Sequence, residues 1–491
     1  MASSFVRLSA AIALFLSLAA CKVGPNYTRP DVPAPPQWKE QPPWRQASPM
    51  DGLPKGTWWT IFGDDELSQY EGQALRANPT IDLARTQLEQ ARASARITQS
   101  GLFPQLSGGI NAQRSRTSAN EPTITGTPLK SPFTASNVVI PFNLTWEADV
   151  FGGQRRSAES AAAQYQASAA NLENVRLVIT SEVAADYFSL RELDAEIAVL
   201  QDAVQYQQKA LELVNNRHEG GVASGLDVAQ QETQLNATRT QSTLLAQQRA
   251  QFEHAIAALT GAPAATFSIP VRPLNMAPPA IPLGVPSDVL ERRPDVAQNE
   301  RLMAAQNAQI GVAKSAFYPS IGIAGSGGAQ STDITNLLSA PSAFWALGAN
   351  VTETILSGGR RRAQVEFAKA GYSGSVASYR QTVLTAFQEV EDGISGLNVL
   401  SQAAETQQLA VDAAQRALTI ANDRYVGGLV TYLDVVTAEQ TLLDNKRLAT
   451  QILGQRLTTS VSLIKALGGG WDAASLQAVQ VKINASQAAQ P

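Results

Sequence analysis

The sequence predicts a mainly α-helical protein that also contributes strands to a transmembrane β-barrel, in a chain built as two similar halves. Two proline-free stretches of about 60 residues predict very long helices. A strict alternation of apolar and polar residues predicts a strand with one apolar face. The same motifs recur more than 200 positions later, which indicates an internal duplication.

The composition argues against catalysis and against nucleic-acid binding. The 491 residues include 38 Lys and Arg against 42 Asp and Glu, a formal charge of −4, so no basic excess exists to neutralise phosphates. One cysteine and two histidines leave little for a disulfide framework, a zinc site or a Cys/His catalytic pair. We therefore expect no nucleic-acid partner, no metal, no non-covalent cofactor and no enzyme activity.

The first residues predict export and a lipid anchor. Residues 1–20 contain Arg7 and the apolar run Leu8–Leu18, which is too short to span a bilayer as a helix and is typical of a cleaved signal peptide. Two small residues and then Cys21 follow, which resembles a bacterial lipoprotein box. Acyl chains on Cys21 would anchor the chain stably, and Lys22, in place of the Asp typical of inner-membrane retention, favours the outer membrane. The alternative is an ordinary signal peptide followed by an incidental cysteine.

Membrane-spanning segments are predicted to be strands. No other stretch reaches 18 consecutive apolar residues, so a crossing by the mature chain requires a β-barrel. Between Val138 and Val150 every even position is apolar and most odd positions are polar. Residues 106–113 predict its hairpin partner, and the stretches beginning at Ile321 and Trp345 predict the strands of the second half.

The repeat relates these strands and the helices around them. Phe103-Pro104 corresponds to Tyr318-Pro319, a separation of 215, whereas Leu226-Asp227-Val228 corresponds to Leu433-Asp434-Val435, a separation of 207. A separation above 200 indicates a duplicated half and excludes a short solenoid repeat.

Each half is predicted to carry a leading helix, a long helix and a shorter helix. The predicted ranges are 74–100, 154–216 and 226–261 in the first half and 295–315, 360–423 and 433–467 in the second. At 1.5 Å per residue they extend about 40, 95 and 54 Å, so two short helices stacked end to end match one long helix. Four strands per chain cannot close a barrel, and an open edge in lipid leaves backbone groups unpaired. The chain is therefore expected to form a homo-oligomer.

The predicted segments follow from these elements. They are a lipoprotein signal peptide at 1–20, a lipid-anchored segment at 21–73, a first repeat at 74–261, a connector at 262–293, a second repeat at 294–469 and a tail at 470–491.

Several motifs resemble those of one family, in the family's order and over essentially the whole mature chain. The stretch Cys21–Pro30 resembles the lipobox and GPxYxRP opening of the outer-membrane efflux lipoproteins. Trp146–Gly152, Leu290–Asp295 and the two Gly-rich turns before Leu-Asp resemble further stretches of that family.

The resemblance implies the outer-membrane channel of a tripartite efflux pump, related to TolC-like proteins. Members are homotrimers with a 12-stranded barrel, four strands per chain, continued by a long α-helical periplasmic tunnel. The resemblance also implies that the lipid-anchored segment 21–73, the connector 262–293 and the tail 470–491 are equatorial, around that tunnel. The implied partners are an inner-membrane pump, a periplasmic adaptor and outer-membrane lipid. The implied cargo is drugs or other small amphiphilic solutes, and the implied covalent lipids are S-diacylglycerol and N-palmitoyl groups on Cys21.

The resemblance also implies roles for the two turns and for the start of the last helix. The predicted docking turns for the adaptor comprise Gly220, Gly221, Ser224, Gly225, Gly427, Gly428 and Thr431. Gly is expected to adopt the left-handed conformation there, and Ser224 or Thr431 to cap the next helix. The closed periplasmic aperture is expected at Leu433, with Asp434 as the nearby acid, because Thr437 stands where the family places its aspartate.

Two other functions remain open at this point. One is a periplasmic coiled-coil scaffold or adaptor lipoprotein without a pore, which suits the long helices but not the alternation over Val138–Val150. The other keeps the fold and uses the channel for protein secretion.

Overall fold

The computed structural model describes residues 22–30, 35, 38–39, 57–120, 131–281 and 292–470. The predicted signal peptide, Cys21 and residues 471–491 lie outside the described residues. The described residues form seven α-helices and five β-strands, with a short 3₁₀ helix at Trp58–Phe62. The helices are α1 Asp65–Ala77, α2 Pro79–Ser100, α3 Gly153–Glu219, α4 Gly225–Leu259, α5 Pro294–Ser315, α6 Arg360–Val426 and α7 Tyr432–Ala466. The strands are β1 Gln105–Gly108, β2 Asn111–Arg116, β3 Thr134–Ala148, β4 Ser320–Ser331 and β5 Ala343–Thr352.

The duplication is visible in the lengths of corresponding helices. The helices α3 and α6 both have 67 residues, and α4 and α7 both have 35. The helices α2 and α5 both have 22 residues. The long helices contain no proline, as their uninterrupted hydrogen bonding requires.

The predicted N-terminal boundary of the leading helix in the first half was wrong. The sequence predicted one helix over 74–100, but Asn78 is extended (ψ 122°) and separates α1 from α2. The Asn78 side chain accepts hydrogen bonds from the backbone N–H groups of Thr80 and Ile81, at 2.8 and 3.2 Å, and so caps α2. Pro79 then occupies the first helical position, where a missing N–H costs nothing.

The sheet is antiparallel, in the order β1-β3-β4-β5, with β2 also paired to β3. The strands β1 and β2 share one register on β3, because Gly108 lies opposite Phe142 and Asn111 lies opposite Val139. Between them Gly109 donates its N–H to Pro141 O at 3.1 Å, but Pro141 has no N–H to return the bond. The proline therefore interrupts the ladder and divides one strand into two.

The strand predicted over 138–150 is shifted toward the N-terminus. The strand β3 begins at Thr134 and ends at Ala148. It ends there because Asp149 turns to the next element, where its carboxylate accepts hydrogen bonds from the backbone N–H groups of Gln154 and Arg155. Asp149 therefore belongs to the start of α3.

The chain divides into two compact units. The sheet unit comprises residues 22–30, 89–120, 131–165 and 300–377, which include all five strands. The helical unit comprises the remaining described residues and contains both turns between a long helix and a shorter one.

The helical unit has an aromatic core beside the 3₁₀ helix Trp58–Phe62. Trp58 is 2% exposed and donates its indole N–H to Thr180 Oγ1 at 3.1 Å. The rings of Phe62 and Phe188 lie 4.7 Å apart, and Tyr187 is fully buried next to Phe188. These contacts attach the segment before α1 to the middle of α3.

A buried ionic network attaches the residues after α4 to the same part of α3. Asp194 is fully buried and accepts hydrogen bonds from Arg191 (2.9 Å), Arg249 (2.6 Å) and the backbone N–H of Arg272 (3.0 Å). Arg191 also donates to Pro270 O at 2.6 Å. Because each buried charge has opposite charges and carbonyls around it, the network avoids the penalty of an unpaired buried ion.

Candidate functional site

The sheet has one apolar face and one polar face. Residues opposite one another on neighbouring strands project to the same face, so Leu106, Leu144 and Leu347 share a face with Gly325 between them. The next positions along the strands, Ser107, Asn143 and Ser326, share the other face. The apolar face comprises Leu106, Ile110, Ile140, Phe142, Leu144, Trp146, Ile321, Ile323, Trp345, Leu347, Ala349 and Val351.

This apolar face is open in the single chain. Trp345 is 82% exposed and Leu347 is 73% exposed, and Leu106 and Ile110 are exposed to a similar degree. A contiguous apolar surface of this kind requires lipid or another protein surface in contact with it. The sheet is also open at both edges, since β1, β2 and β5 each pair with a single strand among the described residues.

The junction from β3 to α3 explains the WEADVFG motif. The Trp146 indole donates to Leu102 O at 3.1 Å, which fixes the end of β3 to the turn before β1. Asp149 caps α3 and pairs with Arg155 at 3.0 Å, so the basic helix start has a compensating acid. The Phe151 ring stacks on Tyr318 with centroids 4.7 Å apart.

The second Arg of that helix start is buried. Arg156 is fully buried, and its guanidinium donates to Val23 O at 3.1 Å, to Gly24 O at 3.2 Å and to Asn26 Oδ1 at 3.0 Å. A fourth bond goes to Glu159 at 2.9 Å. The GPNY stretch is therefore held on α3 by one side chain. Sequence reasoning missed this role because a basic residue at a helix start is usually solvated.

The first turn between helices is closed by glycine and by a serine cap. Gly221 has φ +73°, a left-handed conformation, and the Val222 N–H donates back to Arg217 O at 2.8 Å. The Ser224 hydroxyl accepts from the Asp227 N–H, and the Asp227 carboxylate accepts from the Ser224 N–H. The predicted cap by Ser224 is confirmed, and among the predicted glycines of this first turn it is Gly221 that adopts the left-handed conformation.

The second turn repeats this arrangement with one difference. Gly428 has φ +71°, and the Leu429 N–H donates to Arg424 O at 2.9 Å. Thr431 is the N-cap of α7 and forms a capping box with Asp434, so the predicted cap by Thr431 is confirmed. Here the Thr431 hydroxyl also donates to the Asp434 carboxylate at 2.7 Å. The Asp434 carboxylate also accepts from the Thr431 N–H at 3.0 Å.

The predicted aperture residues lie on the first turns of α7. Leu433 is 54% exposed, so its side chain is available for contact with another surface. The Asp434 carboxylate is occupied by Thr431, and the Thr437 hydroxyl donates to Leu433 O at 2.8 Å. An aperture formed by Leu433, Asp434 and Thr437 stays a prediction, as does docking at the two turns.

The first helical hairpin, α3 with α4, contacts the second helical hairpin, α6 with α7, next to the turns. The contact consists of a buried apolar core and two tyrosines. Tyr425 and Tyr432 belong to a buried cluster whose other members are Val214, Ala414, Leu418, Val435 and Leu442. The Tyr432 hydroxyl donates to Gln231 Oε1 at 2.8 Å. The Arg217 guanidinium lies over the Tyr425 ring, 4.8 Å from its centroid.

A buried carboxyl lies on α7 next to these tyrosines. Glu439 is 4% exposed, and neither of its carboxylate oxygens has a hydrogen bond of ordinary geometry. Burial raises the pKa of Glu439 to about 7, against an ordinary value of 4.5, although Gln207 lies beside it and acts in the opposite direction. Sequence reasoning used Glu439 only as a marker of the repeat, matched to Glu232, and missed its burial.

The described residues offer neither a metal site nor a helix suited to span a membrane. No group of three or more His, Cys, Asp or Glu side chains there is arranged to hold a metal ion. In that same part of the chain, no helix has both the length and the apolar character that crossing a bilayer requires.

Comparison with known proteins gives consistent matches. Residues 72–262 and 285–469 match the family described as outer membrane efflux protein. Two Pseudomonas putida proteins, the probable efflux pump outer membrane protein TtgC and the antibiotic efflux pump outer membrane protein ArpC, are each 30% identical over 473 residues, which cover 94% of this chain and 95% of theirs. The structure of the outer-membrane channel OprN has a TM-score of 0.85 and 26% identity, and the match covers 92% of this chain and 100% of that one.

Proposed function

Because the chain belongs to the outer membrane efflux protein family, we propose that it forms the outer-membrane conduit of a tripartite efflux system. It is an outer-membrane efflux component, as its relatives are. The finer proposal is that three copies assemble, that a periplasmic adaptor and an inner-membrane pump deliver the cargo, and that the conduit conducts it passively without catalysis.

One observation carries the conduit proposal: a sheet with an exposed apolar face, a polar opposite face and two open edges. An apolar face such as that around Leu347 suits lipid, and a polar face such as that around Asn143 suits a watery lumen. Open edges are costly in lipid, so copies of the chain must pair edge to edge until the barrel closes. With β1 and β2 counted as the one interrupted strand that they form on β3, three copies supply 12 strands.

The test combines assembly and conduction. The mature protein in detergent is examined by native mass spectrometry and electron microscopy, and then reconstituted in a planar bilayer. A three-fold ring that conducts ions supports the proposal. A monomer, or a solid rod without conductance, contradicts it and returns the scaffold function to consideration. That scaffold function leaves the sheet and its exposed apolar face unexplained.

We propose small amphiphilic solutes, including antibiotics, as the cargo. The supporting observation is that the relatives carry names such as antibiotic efflux pump outer membrane protein ArpC. Protein secretion gains no support from the relatives' names. Susceptibility assays with a panel of antibiotics and solvents, in cells with and without the chain, test the cargo class.

We also propose that Cys21 carries diacylglycerol and N-palmitoyl groups. The support is the lipobox at residues 18–21 and the lysine that follows it. Mass spectrometry of the N-terminal peptide tests the attachment, because an unmodified cysteine or an uncleaved signal peptide would contradict it.

The two turns are proposed to dock the adaptor, and Leu433 to line the closed periplasmic aperture. The support is the exposure of Val222, Leu429 and Leu433, each more than half exposed on a turn or on the first turn of a helix. Site-specific photocrosslinkers at Val222 and Leu429 should capture the adaptor. A crosslinker at exposed Leu244, within α4, serves as the control position.

A further inference from the structure

The segment that follows Cys21 is bound to the sheet unit by a set of directional bonds. Val23 donates its N–H to Phe151 O at 3.2 Å, at the junction of β3 and α3. The Asn307 amide on α5 donates to Pro25 O at 3.1 Å, and the Tyr27 hydroxyl donates to Glu300 at 3.0 Å. Together with Arg156, these bonds account for each position of the Gly-Pro-Asn-Tyr stretch.

Arg156 is the centre of this set. Its side chain is fully buried, and its donors reach Val23 O, Gly24 O and Asn26 Oδ1. If the segment left, the guanidinium would lose three of its four partners, and three charge-assisted hydrogen bonds would be exchanged for contacts with water. Attachment of the segment is therefore favoured by the need of Arg156 for acceptors.

Two glycines make the close approach possible. Gly24 has φ +100°, and a Cβ atom added to it would lie 2.5 Å from Gly311 Cα on α5. A Cβ atom on Gly311 would lie 2.7 Å from Arg156 Cγ. Any side chain at either position would push the segment off α5 or displace Arg156.

The second half shows that this burial is not a requirement of the helix start. Arg362 occupies the position in α6 that Arg156 occupies in α3, and Arg362 is exposed. The difference is the N-terminal segment, which covers Arg156. The buried arginine therefore serves the segment, and Arg362 provides a matched control.

The attachment reaches the residue next to the predicted lipid. The Lys22 ammonium pairs with Glu159 at 2.5 Å, and Glu159 in turn pairs with Arg156. Both bases hold the pKa of Glu159 below its usual value against the opposing effect of burial. Lys22 directly follows Cys21 in the sequence.

We infer that Arg156 is a positioning residue for the lipid anchor: it binds Val23, Gly24 and Asn26, and so ties acylated Cys21 to the β3–α3 junction of the fold. This inference rests on the proposed acylation of Cys21. The tether between the acyl chains and the fold is then a single residue long, which keeps the sheet at high effective concentration beside the lipid surface. Membrane insertion and assembly of the sheet then depend on Arg156, because Arg156 holds the acylated residue next to the sheet.

The first measurement compares Arg156→Gln with Arg362→Gln in the full chain. Hydrogen exchange of residues 23–27 should accelerate on the order of tenfold or more in Arg156→Gln. The guanidinium makes three bonds to the segment, and the loss of even one charge-assisted bond shifts an opening equilibrium by about that factor. Arg362→Gln should leave that exchange unchanged. Unchanged exchange in Arg156→Gln overturns the inference.

The second measurement separates positioning from a merely structural role. The rate of oligomer assembly in outer-membrane vesicles is measured for Arg156→Gln in the lipidated chain, and again in a Cys21→Ser chain exported behind a non-lipoprotein signal. Arg156→Gln should slow assembly several-fold in the lipidated chain and have no further effect in the Cys21→Ser chain. An equal slowing in both backgrounds identifies a structural role and overturns the inference.

Two controls keep the outcome interpretable. Asn26→Ala removes one acceptor and leaves Arg156 and Glu159 in place, so it should give a weaker version of the same result if Arg156→Gln fails to fold. Mass spectrometry of the N-terminal peptide is made for every variant. An unmodified Cys21 in the wild-type chain overturns the proposed acylation and this inference together, whereas an acylated Cys21 with equal slowing overturns this inference alone.

Discussion

The Tyr432 hydroxyl donates to the Gln231 side-chain oxygen at 2.8 Å, and this bond joins the second helical hairpin to the first. Both residues are buried, with 4% and 0% of their surfaces exposed. Gln231 in turn donates to Gln207 O on α3 at 3.0 Å, so the bond connects α7, α4 and α3 in one chain of donors and acceptors. The region where the aperture is proposed is therefore held by a buried polar contact between the two halves.

Tyr432→Phe should destabilise this region by about 1–2 kcal/mol, because the buried Gln231 oxygen loses its donor and no solvent replaces it. A lower thermal unfolding temperature in detergent is the expected measurement. Tyr206→Phe is the control, since Tyr206 is 39% exposed and water replaces its bond to Asn422. Equal shifts for both variants would contradict this account of Tyr432.

Leu433→Ala should raise the leakage of small solutes through the closed conduit, because removal of an exposed leucine from the proposed aperture widens it. Single-channel conductance and uptake of large antibiotics are the measurements. Leu226→Ala, at the equivalent position of the first half, should have a smaller effect. Unchanged conductance and uptake in Leu433→Ala would remove Leu433 from the aperture.

Glu439 should make the packing of α7 depend on pH. Its pKa is raised to about 7 by burial, so the packed state favours the neutral carboxyl. The titratable groups in its surroundings are the neutral phenols of Tyr206 on α3 and Tyr432 on α7, which add no positive partner. The packed state is therefore fully stable below about pH 4.5 and loses about 3 kcal/mol as the pH rises through 7.

Glu439→Gln should remove this dependence, since a neutral amide does not titrate. The measurement is the unfolding temperature at pH 5 and pH 8 for both proteins, and the wild-type difference should shrink in the variant. Glu232→Gln is the control, because the matching residue of the first half is exposed. A pH dependence that persists in Glu439→Gln would show that another group is responsible.

Asp194→Ala should cost about 3–5 kcal/mol of stability, because Arg191 and Arg249 would share a buried region without the carboxylate between them. The loss is measured by thermal unfolding, followed through the signal of the helical unit. Asp82→Ala breaks a pair with Arg85 in which both side chains are about half exposed, and it should cost under about 1 kcal/mol. Similar losses would show that the network around Asp194 adds little.

Leu347→Arg should impair membrane assembly by about 2–4 kcal/mol, the cost of an arginine facing lipid. Ala346→Arg places the same charge on the neighbouring residue, whose side chain belongs to the polar face. The yield of assembled oligomer in outer membranes is the measurement. An equal loss from both variants would mean that the apolar face does not contact lipid.

The sequence was most informative where the pattern was long and regular. Proline-free repeats predicted the long helices to within a few residues, because regular hydrogen bonding extends until a turn signal such as Gly220-Gly221 ends it. The break at Asn78 was missed, although an Asn-Pro pair is a capping signal, because the helical pattern continues on both sides of it. Local sequence patterns therefore predict the presence of a helix more reliably than they predict the capping residue at which it begins.

The functional details that were missed are contacts between distant segments. Arg156 and Asn26 are 130 positions apart in the chain, and Tyr432 and Gln231 are 201 apart. No local periodicity signals such pairs. The burial of Glu439 was missed for the same reason, since a lone acid within an amphipathic helix usually faces water.

The unlike environments of Arg156 and Arg362 mean that the two halves have ceased to be interchangeable. A chimera with two copies of the second half would keep both glycine turns, whose backbone bonds match. It would keep Gly24 as well, but its first long helix would offer the exposed arginine environment of α6. The N-terminal segment of such a chimera would have no site to bind. Exchange of the halves by recombination would therefore detach the lipid-anchored segment from the channel.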